Sequence, residues 1–286
     1  MIILFSILVG VLSALAYGSA NAFSQPLSKK YGASVTLFLR GVTIVPVLGV
    51  ASLLYGHYPA HWSIAILALV LGMVGYLPVL AFTHAIKKSP IGIVAPIAGT
   101  SPLVTVLLSF IFLGLKLHPA QWVAIIAIIA ASIAISFNVK NWREAKANQL
   151  SQGVVFAILA SLGWGLFFFL LILVTRHVNS ILAAFLIELG VTGSAGVHSK
   201  LSGGSLNLTK AKDKHVIING LLICVGTVAF TLGVKYYNVG IVAALSNSTA
   251  IVSSILGVYL YHERLKTKER LAAAVMIAGV IIISVF

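Results

Sequence analysis

Residues 81–96 have the sequence AFTHAIKKSPIGIVAP, and residues 229–244 have the sequence AFTLGVKYYNVGIVAA, so one stretch occurs twice in the chain. A constant offset of 148 residues separates the two copies. The same offset continues beyond the stretch, where it pairs Val104 with Val252. Self-similarity at a fixed spacing indicates a duplicated structural unit. The chain is therefore predicted to consist of two equivalent halves.

The composition is typical of an integral membrane protein. Of the 286 residues, 60% are hydrophobic and 8% are charged, and the mean hydropathy is +1.09. Soluble domains have about 25% charged residues. The net charge of +14 lies in short loops between apolar runs. This distribution is typical of membrane topology signals, so a nucleic-acid partner is not expected.

The apolar runs predict an all-α protein with ten transmembrane helices, because each run has about the 20 residues that cross a bilayer core. Five helices per half is an odd number, so the second half would enter the membrane in the opposite direction. Such inverted repeats are an architecture of transporters, with the substrate bound where the halves meet. The predicted helices lie near 3–24, 33–54, 62–85, 91–114, 119–138, 152–174, 179–198, 215–234, 240–260 and 268–286.

The predicted organisation is a first repeat at residues 1–139, a polar linker at 140–150 and a second repeat at 151–286. Most Lys and Arg residues lie in the odd-numbered loops. By the positive-inside rule these loops are expected in the cytoplasm and both termini outside. The expected location is the plasma membrane, which the chain would cross several times.

Two charged residues interrupt apolar runs at equivalent positions of the two halves. Arg40 and Glu188 are separated by the repeat offset of 148. A charge inside the bilayer is costly and usually faces a cavity or a partner. Arg40 would then bind a substrate carboxylate, and Glu188 an amine or a proton. In the alternative, the two residues pair with each other, or each extends to its nearer membrane interface.

The first helices of the two halves share a pattern of small residues beside an aromatic one. Tyr17 and Trp164 are the aromatic residues, and they are expected either to form walls of a pocket or to pack between helices. Asn21 lies about one turn after Tyr17 and adds a polar group on a similar face. Pro26 is predicted to end or kink this helix.

The fourth helix is interrupted by Pro96 and Pro102, with Thr100 and Ser101 between them. Each proline removes a backbone donor, and irregular backbone within a membrane is tolerated where it is buried in protein or lines a cavity. The equivalent segment of the second half contains Ser246 and Asn247. Interrupted or polar segments in corresponding places indicate a transport path. The alternative is that the hydroxyl groups bond to their own helix.

Three further residues are candidates. His84, near the end of the third helix, is expected either to couple proton movement or to lie at the interface. Tyr76 precedes it by about two turns and would add a polar group to the path. Glu263 follows the ninth helix and is expected to bond a basic or backbone group at the cytoplasmic end, or to act in gating.

No catalytic constellation, metal-ligand spacing or nucleotide-binding loop is present in the sequence. An enzyme is therefore not expected, and neither is a cofactor. Energy for transport would come from a gradient of protons or of another ion.

The chain resembles the EamA branch of the drug/metabolite transporter superfamily. The matching features are the duplicated halves, Leu39-Arg40-Gly41, the proline-bearing segment Ile93–Pro102, and Tyr259–Leu265 followed by a basic loop. The first half has Leu115 where the second has Glu263, so the glutamate occurs once. The resemblance implies secondary transport of small metabolites, often amino acids or related solutes, and frequently export.

The expected function is thus alternating-access transport of a small-molecule solute across a lipid bilayer. Sugars or cationic drugs are alternative substrates, and a non-transporting membrane scaffold or subunit is an alternative class. A two-half chain is complete as a monomer, but a homodimer also fits.

Overall fold

The computed structural model describes residues 2–55, 62–114, 118–137, 145–175, 178–204, 206–236, 245–246 and 248–285, and within these ranges it contains helices and no strands. The helices of the first half are α1 Ile2–Tyr31, α2 Ala33–Tyr55, α3 Trp62–Lys88, α4 Ile91–Ala98, α5 Ser101–Leu113 and α6 Pro119–Phe137. Those of the second half are α7 Ala145–Thr175, α8 Ser180–Leu201, α9 Lys214–Tyr236, α10 Thr249–Tyr261 and α11 Thr267–Val285, with a 3₁₀ helix at Leu208–Lys212 before α9.

Seven segments of the described residues are long and apolar enough to cross a membrane, with α4 and α5 forming one of them. Helices α6, α10 and α11 contain shorter apolar stretches, Pro119–Ala131, Thr249–Tyr261 and Arg270–Ile282. Large apolar side chains also lie on the outside, for example Ile66, Val70, Met73 and Leu77 along one face of α3. Such a face suits lipid, because the hydrocarbon chains replace water as its surroundings.

Helix ends follow local chemistry. Helix α1 ends at Gly32, whose φ of 89° is in the left-handed region that glycine adopts without strain. Asn179 caps α8, because its side-chain oxygen accepts a hydrogen bond from the backbone N–H of Ile181 at 2.9 Å. Of the predicted linker at 140–150, residues 145–150 are helical and continuous with α7.

Of the two effects expected of Pro26, an end or a kink of the first helix, the end is wrong, since α1 continues through it to Tyr31. A proline within a helix leaves the carbonyl four residues earlier without its usual donor. In this chain the carbonyl of Ala22 instead accepts a hydrogen bond from the Tyr261 hydroxyl at 2.9 Å. A side chain from α10 therefore replaces the missing backbone donor.

The repeat governs how the helices pack. Helices α2 and α8 are equivalent, and they run antiparallel, since Phe38 lies against Gly196 while Gly49 lies against Phe185. Equivalent pairs recur elsewhere: α1 packs on α9 and α10, as α7 packs on α3 and α5. Helices α6 and α11, also equivalent, pack against each other. Opposite directions of equivalent helices are what an inverted repeat requires.

Candidate functional site

Arg40 on α2 and Glu188 on α8 form an ion pair between the two halves. Arg40 Nη2 lies 3.9 Å from Glu188 Oε2, and the side chains are 9% and 12% exposed. Neither Arg40 Nε nor Glu188 Oε2 has a hydrogen-bond partner in the structure. At 3.9 Å the charges attract each other without the short hydrogen bond that a tight pair makes. The pair therefore retains hydrogen-bonding capacity for a third polar group.

Hydroxyl groups on three helices lie near this pair. Thr192 lies one turn after Glu188 on α8, and its buried Oγ1 has no hydrogen-bond partner. Tyr17 on α1 donates a hydrogen bond to Thr227 Oγ1 on α9 at 2.8 Å. We refer to Arg40, Glu188, Tyr17, Thr192 and Thr227 as the charged site. It places two opposite charges and three hydroxyl groups between α1, α2, α8 and α9.

Two tyrosines flank the ion pair along the antiparallel α2 and α8 helices. Tyr17 packs against a cluster that contains Ile44 and Ala184, each one turn from a charged residue. Tyr76 on α3 packs against Leu37 and Val191, which lie one turn away on the other side. The structure thus places Tyr17 and Tyr76 on opposite sides of the ion pair.

The hydroxyl of Tyr76 is already occupied. Its oxygen lies 2.6 Å from Nδ1 of His198, which projects from the last turn of α8. His84 is half-buried on α3, where its Nδ1 lies 3.0 Å from the carbonyl oxygen of Leu80. Its ring stacks on Phe156 of α7, with ring centres 5.3 Å apart. His84 therefore lies between helices α3 and α7.

Trp164 and Asn21 take different places. Trp164 is half-buried on α7 and contacts Phe82 of α3, with ring centres 5.3 Å apart. The sequence left open whether Trp164 forms a pocket wall or packs between helices, and this contact is packing between α7 and α3. Asn21 is half-buried on α1, one turn beyond Tyr17. Its spacing of four residues puts it on a similar face of α1 to Tyr17.

The predicted interruption of the fourth helix separates α4 from α5. Pro96 is inside α4, and Pro102 is in the first turn of α5, where a missing N–H leaves no helical bond unmade. Thr100 Oγ1 donates to the carbonyl of Ile97 at 2.7 Å and lies 2.8 Å from Ser161 Oγ on α7. Ser101 is buried beside it. The break is therefore buried in protein and held by α7.

A matching contact occurs in both halves next to these segments. Thr105 Oγ1 donates to the carbonyl of Gly165 at 3.0 Å, and Ser253 Oγ lies 3.2 Å from the carbonyl of Gly18. At both glycines the neighbouring helix is so close that a Cβ atom would contact it at less than 3.0 Å. Helix α5 is therefore tightly packed on α7, and α10 on α1, in the same way.

In the second half, Ser246 is buried and its Oγ has no hydrogen-bond partner. Thr249 Oγ1 donates to the Ser246 carbonyl at 2.6 Å, which is a local bond of the kind expected for hydroxyls in this segment. Asn247, the other residue predicted here, lies outside the described residues.

Glu263 follows α10 and contacts the start of α4 in the other half. Its carboxylate accepts hydrogen bonds from the backbone N–H groups of Ile91 and Gly92. These are backbone contacts, and they join the loop after α10 to the start of α4, just after the end of α3.

Two residues of the charged site, Thr192 and Thr227, were not identified from the sequence. Thr192 had a usable signal, because it is four residues after Glu188 and so lies on the same helix face. Thr227 had none, since its contact with Tyr17 joins positions 210 residues apart. Across the described ranges, no group of three or more His, Cys, Asp or Glu residues is arranged to hold a metal ion.

The comparisons with known proteins agree with this architecture. A protein of known crystal structure resembles the chain with a TM-score of 0.67 over 97% of this chain and 94% of its own, at 17% sequence identity. At that identity the likeness concerns the fold alone. Comparison with curated proteins gives no match. The family described as "EamA-like transporter family" matches residues 4–137 and again 151–285. The chain therefore belongs to the EamA-like transporter family, which is part of the drug/metabolite transporter superfamily.

Proposed function

We propose that this protein is a secondary transporter that exports small metabolites, such as amino acids or related solutes, across the plasma membrane. Ten transmembrane helices form two inverted five-helix repeats, and the charged site is exposed alternately to either side. The observation that carries the proposal is the loose ion pair between Arg40 and Glu188, which combines burial with unused hydrogen-bonding atoms.

The chemistry of the charged site suits a solute with both a carboxylate and an amine. The Arg40 guanidinium would bind the carboxylate, for which its fork of donors is well matched. Glu188 would bind the amine, and the free hydroxyl of Thr192 would add a hydrogen bond. A zwitterion leaves the net charge of the site unchanged, which limits the cost of placing charge inside the bilayer.

The charged site contains residues of both halves, so its geometry depends on the position of one half relative to the other. Arg40 comes from the first half and Glu188 from the second, on equivalent antiparallel helices. A relative movement of α2 and α8 changes the separation of the charges. A bound zwitterion would bridge them in each state, and a gradient of protons or another ion would supply the energy.

The test is solute flux in cells and in proteoliposomes that contain the protein. A panel of radiolabelled amino acids is compared for the wild type, Arg40→Ala, Glu188→Gln and the control Lys268→Ala, an exposed cation on α11. Saturable flux of at least one amino acid is expected, with at least a tenfold loss in the two site variants and no change in the control.

Other outcomes separate the alternatives. Flux of sugars or cationic drugs, without flux of any amino acid, would contradict the proposed substrate class. Absence of flux for the whole panel, from protein verified as folded and inserted, would favour a membrane scaffold or subunit. Flux that persists at the wild-type level in both site variants would place the substrate elsewhere.

A further inference from the structure

Helix α4 begins without a cap of its own. Its N-cap position is Pro90, which makes no side-chain hydrogen bond to the helix. The first N–H groups of any α-helix lack partners within the helix, so a buried start needs acceptors from elsewhere. All eight residues of α4 are buried. The N-cap residue of α4 therefore provides no side-chain acceptor for the first N–H groups of the helix.

Glu263 supplies the missing acceptors from the other half of the chain. Its Oε1 accepts from the N–H of Ile91 at 2.8 Å, and its Oε2 accepts from the N–H of Gly92 at 3.0 Å. Gln25 of α1 donates to Oε1 at 3.2 Å. A carboxylate at a helix N-terminus is also favoured by the helix dipole. One side chain thus joins α1, α4 and the end of α10.

Apolar and hydroxyl contacts lie around Glu263 at the same end of these helices. Leu265 is buried against the start of α4, so that a Cβ on Gly92 would lie 2.7 Å from its Cδ1. The Tyr261 hydroxyl binds the carbonyl of Ala22, one turn before Gln25. Side chains from α10 and the loop after it therefore seal against α1 and α4.

The contact lies where two groups of helices meet, and apolar contacts between α10 and α4, such as Gly257 beside Ile91, join the same groups. Helix α10 is packed on α1 at Gly18, and α5, which continues α4, is packed on α7 at Gly165. Glu263 adds a carboxylate to these contacts, and the equivalent position of the first half is Leu115. The bridged end carries the basic odd-numbered loops, for which the sequence predicts a cytoplasmic location.

We propose that Glu263 is a one-sided latch that holds the cytoplasmic gate closed by capping α4. This inference rests on the proposed transport function. In this structure the latch is made, so the protein is in the state closed to the cytoplasm. Opening to the cytoplasm requires the Ile91 and Gly92 N–H groups to separate from the carboxylate. The equivalent position of the first half is Leu115, so the sequence supplies no carboxylate from this position to the opposite gate, which biases the resting transporter toward the state closed to the cytoplasm.

The experiment measures access from the cytoplasmic face and needs no substrate. Cys224, the single cysteine, is replaced by serine, and Asn21→Cys serves as a half-buried reporter one turn deeper than Gln25. Inside-out vesicles are treated with a membrane-impermeant maleimide, and the labelling rate is compared with and without Glu263→Ala. The matched control is Arg264→Ala, which changes the exposed neighbour of Glu263.

The expected result is at least a fivefold faster labelling of the reporter in Glu263→Ala, a smaller increase in Glu263→Gln, and no change in Arg264→Ala. A second reporter, Lys212→Cys on the exposed 3₁₀ helix, should label at one rate in every background. If Glu263→Ala fails to assemble, Gln25→Ala removes one donor from the latch and should increase labelling by about twofold. Unchanged labelling in folded Glu263→Gln and Gln25→Ala would overturn the latch.

The flux assay tests the transport function and the labelling assay tests the latch, so either proposal can be rejected without the other. Faster labelling without any solute flux would keep the latch and reject the proposed substrate class. Amino-acid flux with unchanged labelling would keep the transport function and reject the latch.

Discussion

Removing one member of the buried ion pair is expected to cost the protein much of its stability. Arg40 Nη2 and Glu188 Oε2 are 3.9 Å apart, and at an effective dielectric constant of about 20 two unit charges at this separation attract by about 4 kcal/mol. The side chains are 9% and 12% exposed, so water can replace little of a lost partner. Arg40→Ala should therefore lower the free energy of unfolding by about 3–5 kcal/mol, as other broken buried pairs do.

A double-mutant cycle measures this interaction. Unfolding in mixed micelles with a denaturing detergent is compared for Arg40→Ala, Glu188→Ala and the double variant. The double variant should be no less stable than either single variant, because it leaves no unpaired charge. The coupling free energy should then be about 3 kcal/mol or more, while Lys268→Ala should change stability by less than about 0.5 kcal/mol.

Two results would refute the reasoning. Additive effects of the single variants, with a coupling of less than about 0.5 kcal/mol, would mean that the charges do not interact in the folded protein. The charge swap Arg40→Glu with Glu188→Arg tests the role in transport. A swap that restores both stability and flux would make the pair purely structural, whereas restored stability without flux is the expected result, since the positions of the charges would no longer match the solute.

Two further predictions follow from packing and from charge. Gly165→Ala should lower stability by about 1–3 kcal/mol in thermal unfolding, because its methyl group would meet Val104 Cγ1 at 2.7 Å and the Ser101 carbonyl at 2.9 Å. Gly193 is exposed on α8, and apart from its own stretch of helix no atom lies within 4 Å of where a new methyl group would be, so Gly193→Ala should be neutral or stabilising by up to about 1 kcal/mol. The Lys30 ammonium, then the Tyr31 hydroxyl and the His215 backbone N–H, hold the pKa of Asp213 well below its usual value of 3.8. Because the pKa is lowered on folding, the stabilisation is fully present above about pH 4 and is lost as the pH falls below it. Asp213→Asn should therefore be less stable than the wild type by about 1 kcal/mol at pH 7, and the difference in melting temperature should shrink as the pH falls from 4 through the lowered pKa. A difference as large at the acid end of this range as at pH 7 would contradict this.

Features that depend on local sequence or on the repeat were predictable. Pro96 and Pro102 marked the break between α4 and α5, because their effect on helical hydrogen bonds is local. The offset of 148 residues related Arg40 to Glu188, and an interaction between them was one of the three alternatives drawn from it. Equivalent positions near a pseudo-two-fold axis come close together whatever the details of the packing.

Features that depend on contacts between distant helices were not predictable. The continuation of α1 through Pro26 relies on Tyr261, which is 239 residues from the carbonyl that it binds. The cap of α4 comes from Glu263, 172 residues after Ile91. Neither pairing follows from periodicity or composition, because the partner is chosen by how the two halves are packed together.

The opposite charges of Arg40 and Glu188 have a consequence for the independence of the two halves. They occupy equivalent positions on antiparallel helices, so two copies of the first half, paired in the same way, would place arginine against arginine. At a separation of 3.9 Å the repulsion would be about 4 kcal/mol at the same effective dielectric constant. Two copies of the second half would place glutamate against glutamate at the same cost. The halves are thus complementary and no longer interchangeable: if they are produced as separate polypeptides, each should assemble with the other and neither with itself.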